Sequence, residues 1–122
     1  MKLNIRTTKK EEFIDITDKI KIDIEEGFCQ IYCPHTTAGL TINEGADPSV
    51  RQDIISALDN IVPNMDFKHR EGNSLAHIKA SLMGNSVIIP VKDGKLMLGI
   101  WQSIFFCEFD GPRQRQVFAK TI

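Results

Sequence analysis

Three stretches of this chain hold more polar side chains able to do chemistry than a core needs. The first runs Pro34-His35-Thr36-Thr37 and resumes from Thr41 through Asn43 and Glu44 to Asp47. The second is Lys68-His69-Arg70-Glu71-Gly72-Asn73, which continues through Ser74 and His77 to Lys79. The third opens at Trp101-Gln102 and closes in Glu108-Phe109-Asp110-Gly111-Pro112-Arg113. The chain's three histidines all fall in the first two stretches. Neutral imidazoles can ligate zinc and leave a fourth position to water. They can equally move protons, because their pKa lies near working pH. No two stand at H-x-x-x-H spacing, so spacing does not choose between these chemistries. Each lies at a junction between elements, where sites are built on a rigid scaffold.

His77 falls in the first turn expected of a helix, where free N–H groups attract anions. Ser74 and Ser81 lie along the same line of that helix. Thr36, Ser74, Lys79 and Arg113 are candidates to hold a phosphate group, although Ser74 alone is satisfied as a cap and Lys79 as a solvated charge. Lys79 stands two residues from His77 and does not easily share its helix face. In the third stretch, strand parity sends Gln102, Ile104, Phe106, Glu108 and Asp110 to one side and Trp101, Phe105, Cys107 and Phe109 to the other. A carboxylate among apolar neighbours is costly unless paired. Glu108 therefore either pairs with Arg113 or Arg115, or meets a metal, a proton or a substrate. Asn43 and Glu44 have no structural task visible in the sequence, whereas Asp47 is a helix cap. No Walker, G-x-G-x-x-G, G-x-S-x-G or H-E-x-x-H motif is present.

The elements that position these residues read as follows. Leu3 and Ile5 alternate with polar residues in an opening strand, and Glu12–Ile16 forms a second. Residues 17–26 carry both strand alternation (Ile20, Ile22, Ile24) and helix signals, with a Thr17 or Asp18 cap and a Gly27 stop; a short helix is expected. Phe28–Cys33 reads as a buried strand, and Gly39–Asn43 as a short one. Asp47 caps a helix with Pro48 at its first position and a Val50, Ile54, Leu58, Ile61 stripe. A second helix starts at Asn73 or Ser74, faces the core with Leu75, Ile78 and Leu82, and stops at Gly84. Val87–Val91 is a strand, Asp93-Gly94 a hairpin turn, Leu96–Phe109 one long strand kinked near Gly99, and Arg115–Ile122 the last strand. The expected fold is α+β: antiparallel β sheets, sandwich or barrel-like, packed with two to three short helices as a single domain over residues 1–122.

The chain has 122 residues, 42% hydrophobic and 25% charged, with a net charge of −1. Such values suit one globular domain and argue against a general nucleic-acid binder, which needs a basic face. No apolar run approaches the ~20 residues of a membrane helix, and Met1–Lys10 has no apolar signal-peptide core; no membrane partner and a cytoplasmic location are expected. Cys29 and Cys33 lie in one strand, roughly 13 Å apart, beyond the ~7 Å that a disulfide spans. They and Cys107 are expected to be buried free thiols.

Longer blocks carry a resemblance. His35-Thr36-Thr37-Ala38-Gly39-Leu40-Thr41-Ile42-Asn43-Glu44 with Ala46-Asp47-Pro48-Ser49-Val50-Arg51, then Glu71-Gly72-Asn73 through Ala76-His77-Ile78-Lys79-Ala80-Ser81-Leu82-Met83-Gly84, then Gly99–Phe105 and Glu108-Phe109-Asp110-Gly111-Pro112-Arg113 resemble the motifs of the YjbQ-type family, also called the secondary thiamine-phosphate synthase family. The resemblance spans nearly the whole chain. It implies a homotrimer with a polar pocket near His35, Asn43, Glu44, His69, His77, Gln102 and Glu108. It also implies a transferase activity, as a secondary ability, that joins a pyrimidine diphosphate to a thiazole phosphate. Two departures stand out: the stretch between Ile24 and Phe28 is short, and Phe67 replaces the Tyr or Trp that often precedes the histidine motif. The alternative reading is a non-catalytic homotrimer that binds a metal ion or a phosphorylated small molecule. His35, His69 and His77 are expected to converge in one pocket, with Glu108 or Glu71 and a subunit boundary as options, where three imidazoles would suit zinc or another borderline divalent ion; the cofactor expected is a divalent metal, zinc or magnesium. A Glu108 facing that pocket together with Gln102 would favour the enzyme.

Overall fold

A computed structural model describes residues 1–122. The strands are β1 (Lys2–Arg6), β2 (Glu12–Asp15), β3 (Glu26–Tyr32), β4 (Ala38–Glu44), β5 (Ser86–Lys92), β6 (Lys95–Leu96), β7 (Gln102–Glu108) and β8 (Gln114–Thr121). The helices are α1 (Pro48–Ile61) and α2 (Ser74–Met83), both between β4 and β5. Every strand pair is antiparallel. The strands form a five-stranded sheet, β1-β8-β3-β5-β6, and a three-stranded sheet, β2-β7-β4. The fold is thus α+β, with two antiparallel sheets and a helical layer.

Alternation explains the layering. β7 is buried on both faces. Ile104 and Phe106 point toward the five-stranded sheet and pack with Ile5, Ile31, Leu40, Ile89 and Val117. Phe105 and Cys107, with Phe109 beyond them, point the other way and pack with Leu58 of α1 and Ala76 and Ala80 of α2. The three-stranded sheet is therefore the middle layer. Each fully buried phenylalanine or isoleucine here contributes about 1.5–3 kcal/mol relative to exposure. The outer face of the five-stranded sheet lacks a cover, and Phe28, Tyr32, Ile88 and Phe118 are exposed on it.

Local signals held at most boundaries. The Asp47 carboxylate accepts from Ser49 N–H at 2.9 Å, and Pro48 opens α1. Asp93 and Gly94 turn the β5–β6 hairpin with φ of 53° and 71°, as a two-residue loop of this kind requires. All three cysteines are free and buried.

Three expectations need correction. Residues 17–26 are not a helix: a single 3₁₀ turn at Thr17–Lys19 is followed by extended chain. Asp15 accepts from Thr17 N–H, and Ile16 and Ile20 are buried in the core. Burying isoleucines on alternate residues outweighs the cap and stop signals. The long strand from Leu96 to Phe109 is two strands in different sheets. Gln102 N–H donates to the Gly99 carbonyl, and Gly99 N–H to the Gln102 side chain, closing a turn that carries the chain from β6 to β7. Third, Ile78 and Leu82 are exposed, and so is Ile61 of α1; α2 rests on Ala76 and Ala80 instead. The reason is close approach. A Cβ at Gly39 of β4 would stand 2.6 Å from the Gly84 carbonyl oxygen and 3.2 Å from Met83 Cβ, so the C-terminal end of α2 closes tightly on this strand.

Candidate functional site

The segment Pro34–Thr37 carries the chain from β3 in one sheet to β4 in the other. It passes the start of β8 and the first half of α2, and a cavity of about 390 Å³ opens between them. His35, Thr36, Thr37, Arg113 and Arg115 line one side; His69, Glu71, Asn73 and His77 line the other. Apart from the Pro34 ring, no apolar side chain takes part. All three imidazoles border this one cavity, and the rings of His69 and His77 meet edge to face at 5.2 Å.

His35 is fixed by backbone. Its Nε2 lies 2.9 Å from the Gln116 N–H, which donates to it when the ring proton is on Nδ1, and 3.1 Å from the Gln116 carbonyl, which accepts from it when the proton is on Nε2. Partial burial, and then the neighbouring Arg115 charge, hold its pKa below the ordinary 6.5, so the neutral ring is favoured.

Arg115 forms the floor. It is 6% exposed. Its Nε donates to Glu108 Oε1 at 2.9 Å, and Nη2 donates to Glu108 Oε2 at 2.5 Å and to Thr37 Oγ1 at 2.9 Å. Its Nη1 makes no hydrogen bond and remains available to a ligand. Glu108 is fully buried and also accepts from Thr7 Oγ1 at 2.7 Å. Burial opposes the charge on Glu108, but the bonds from Arg115 and Thr7 outweigh it and the pKa is lowered. Glu108 is therefore a charged support beneath the cavity and not a proton carrier within it. This is the ion-pair outcome that strand parity left open.

A second carboxylate ties the rim together. Asp110 accepts from Asn73 Nδ2 at 2.9 Å, Lys10 Nζ at 3.1 Å and Arg113 Nη2 at 2.9 Å. Burial again opposes ionisation, yet these donors bring its pKa to about 2. Asn73 occupies the N-cap position of α2, but its amide serves Asp110 rather than the helix. Ser74 lies on the far side of His69 and His77, in a shallow hollow with Phe67 and Ile78.

Several sequence candidates lie elsewhere. In the β4–β7 register Ala38 faces Glu108 and Glu44 faces Gln102. Asn43, Glu44 and Gln102 thus sit at the opposite end of these strands from His35, about 20 Å away at ~3.3 Å per residue. Gln102 is occupied with Gly99, and Asn43 Oδ1 with Glu44 N–H. Lys79 points away from His77 into the helical layer, where it is buried and bonds Glu11 at 2.9 Å and Asp59. Its two-residue offset puts it on the other helix face, so it does not hold a phosphate in this cavity. The three imidazoles border the cavity, but no group of three His, Cys, Asp or Glu stands at metal-holding separation within one chain; Gln116 engages Nε2 of His35 and not Nδ1. Thr37 and Arg115 enter as lining residues; Arg115 was legible only as a partner for a carboxylate.

A family model described as UPF0047 protein YjbQ-like matches residues 1–122. The chain belongs to the YjbQ-like UPF0047 family. A UPF0047 protein of Methanocaldococcus jannaschii is 54% identical, covering 99% of this chain and 92% of its own. The Bacillus subtilis protein YugU is 48% identical over 98% of this chain and 96% of its own. A YjbQ/UPF0047 crystal structure from Clostridium acetobutylicum superposes with a TM-score of 0.97 at 52% identity, over 100% of this chain and 99% of that one. That protein is described as uncharacterised, so the chemistry of this YjbQ-like site has to be argued from its own geometry. No helix of this YjbQ-like chain is long and apolar enough to cross a membrane.

Proposed function

We propose that the charged cavity binds the phosphate end of a phosphorylated small molecule. We further propose that the chain catalyses a thiamine-phosphate-synthase-like transfer in which diphosphate leaves. The observation that carries the first part is Arg115, a buried guanidinium with one free Nη at the floor of a cavity walled by three imidazoles and Arg113. Buried cations aimed at developing anionic charge are usually the largest catalytic contribution. In the transfer, the thiazole nitrogen forms a bond to the methylene carbon of the pyrimidine diphosphate. The carbon–oxygen bond breaks, and its electron pair leaves with the diphosphate. Arg113 and Arg115, each already paired with a carboxylate, would donate hydrogen bonds to the diphosphate oxygens, and His77 or His69 would protonate the leaving oxygen.

Assembly as a homotrimer belongs to the same proposal. The uncovered apolar residues of the five-stranded sheet support burial by association, and a small subunit gains core by closing a symmetric assembly. A second reading, binding without turnover, is favoured by one observation: with Glu108 locked to Arg115, Glu71 is the only carboxylate lining the cavity.

The test is to incubate purified protein with both thiamine precursors, with and without a chelator, alongside His77→Ala. Product formation is expected to fall at least about 100-fold in His77→Ala, with unchanged melting and no effect of the chelator. Equal traces from both proteins would assign the activity elsewhere and leave the binding reading standing. Loss on chelation alone would instead implicate a divalent metal held together with another subunit.

A further inference from the structure

Two cavities meet at His35, Thr36 and His77. The charged one has been described. The other is a groove of about 490 Å³ that runs along α2 toward its C-terminus, and no Lys, Arg, Asp or Glu lines it. Its floor is small. Ala38 and Ala80 offer only methyl groups, and a Cβ placed on Gly84 would meet nothing within 4 Å. Beyond the two imidazoles it shares with the charged cavity, its polar side chains are Thr36, Ser81 and Asn85, which carry no charge and still have hydrogen-bonding capacity. Ser81 Oγ donates to the His77 carbonyl at 2.9 Å and keeps its lone pairs. The side chains of Thr36 and Asn85 make no hydrogen bond, while the Asn85 carbonyl is used by Cys33 N–H.

A bare anion would fill the charged cavity and leave this groove empty. A doubly charged ligand body would find no counter-charge in it, and an unpaired charge is costly once desolvated. The groove volume lies within the ~300–1,000 Å³ typical of small-molecule sites. We propose that this groove is the subsite for the uncharged, hydrogen-bonding organic part of the phosphorylated ligand, with Ser81 and Asn85 as the side chains that determine specificity. The phosphate lies in the charged cavity and the organic body in the groove. This rests on the phosphate reading of the charged cavity and adds where the organic part sits and which side chains select it.

The test uses titration calorimetry with two probes, inorganic diphosphate and the pyrimidine diphosphate of the proposed reaction. The proteins are wild type, Ser81→Trp and Asn85→Ala. Both substituted positions are exposed, so all three are expected to melt alike. If Ser81→Trp melts lower, Asn85→Ala decides. The organic probe is expected to bind wild type at least about tenfold more tightly than inorganic diphosphate, a difference of about 1.4 kcal/mol. Ser81→Trp should abolish that advantage, and Asn85→Ala reduce it, while inorganic diphosphate binds as before. An organic advantage that survives both substitutions, or an equal weakening of both probes, overturns the groove assignment alone. Failure of inorganic diphosphate to bind wild type overturns the phosphate reading and the groove with it.

Discussion

Glu108→Gln keeps the shape of a fully buried side chain and removes its charge, leaving the Arg115 guanidinium buried without its counter-ion. Breaking one side of such a pair costs about 3–5 kcal/mol. Glutamine retains some of the hydrogen bonding to Thr7 and Asp110, so the lower end, about 3 kcal/mol, is expected. At ~2.1 cal/mol/K per residue the unfolding entropy of 122 residues is about 0.26 kcal/mol/K, which converts the loss to a Tm lower by about 12 °C. The pH dependence supplies a second check. The folded Glu108 pKa lies below its ordinary 4.5, so the unfolded chain takes up the proton first. The pair's contribution is therefore fully present above pH 4.5 and is lost as the pH falls through the folded value. Melting followed by circular dichroism at one protein concentration should show a wide gap between wild type and variant near neutral pH, and a narrower gap in acid. Adding Arg115→Met to the variant removes the orphaned charge and should recover much of the loss. A Glu108→Gln protein that melts within about 2 °C of wild type near neutrality, or a gap that acid does not narrow, would refute this account of the pair.

Three further outcomes are expected. In a proton NMR titration the His35 ring should change charge below the ordinary 6.5; because the unfolded chain then binds that proton more readily, His35 favours folding above this value and less so as the pH falls. A midpoint at or above 6.5 would contradict its placement beside Arg115 and Gln116. Gly39→Ala should destabilise by about 1–3 kcal/mol through overpacking, since its Cβ would press on the Gly84 carbonyl and Met83; an unchanged urea midpoint would argue against the close β4–α2 approach. Lys79→Ala should lose about 2 kcal/mol of stability yet bind inorganic diphosphate like wild type, and weakened binding would return Lys79 to the phosphate site.

The parts of the fold that were legible are those where one local rule acts without a competitor. Asp47-Pro48 and Asp93-Gly94 use backbone chemistry that few other residues supply, and the parity of β7 separates Phe105 from Phe106 correctly. The helix expected at 17–26 failed because caps are local and burial is not: after a single turn, Ile20, Ile22 and Ile24 pack against the core on alternate residues. The long strand failed because apolar residues run on through Met97–Trp101: Gly99 marked a kink there, but not that the kink is a turn into the other sheet. In the site, junction position was enough to bring His35, His69 and His77 to one cavity. Asn43, Glu44 and Gln102 share one strand end with each other rather than with the histidines, a matter of β4–β7 register that composition does not encode. Arg115 was hard to assign to the cavity because an alternating strand residue beside a carboxylate looks fully employed, and only the geometry reveals its spare Nη1.

The buried ammonium of Lys79 reaches Glu11 and Asp59, 68 and 20 residues away in sequence. One belongs to the segment entering β2, the other to α1, and Lys79 itself to α2. Such a three-way clamp comes into being only when all three segments have docked, after most of the loop-closure entropy has been spent. A clamp completed that late is expected to act little on the rate of folding and mainly on the rate of escape from the native state. Lys79→Ala is therefore expected to shorten the lifetime of a folded molecule more than it slows its formation. Proteolysis and prolonged heating are where that loss is expected to show, although the charge lies on the far side of α2 from the cavity.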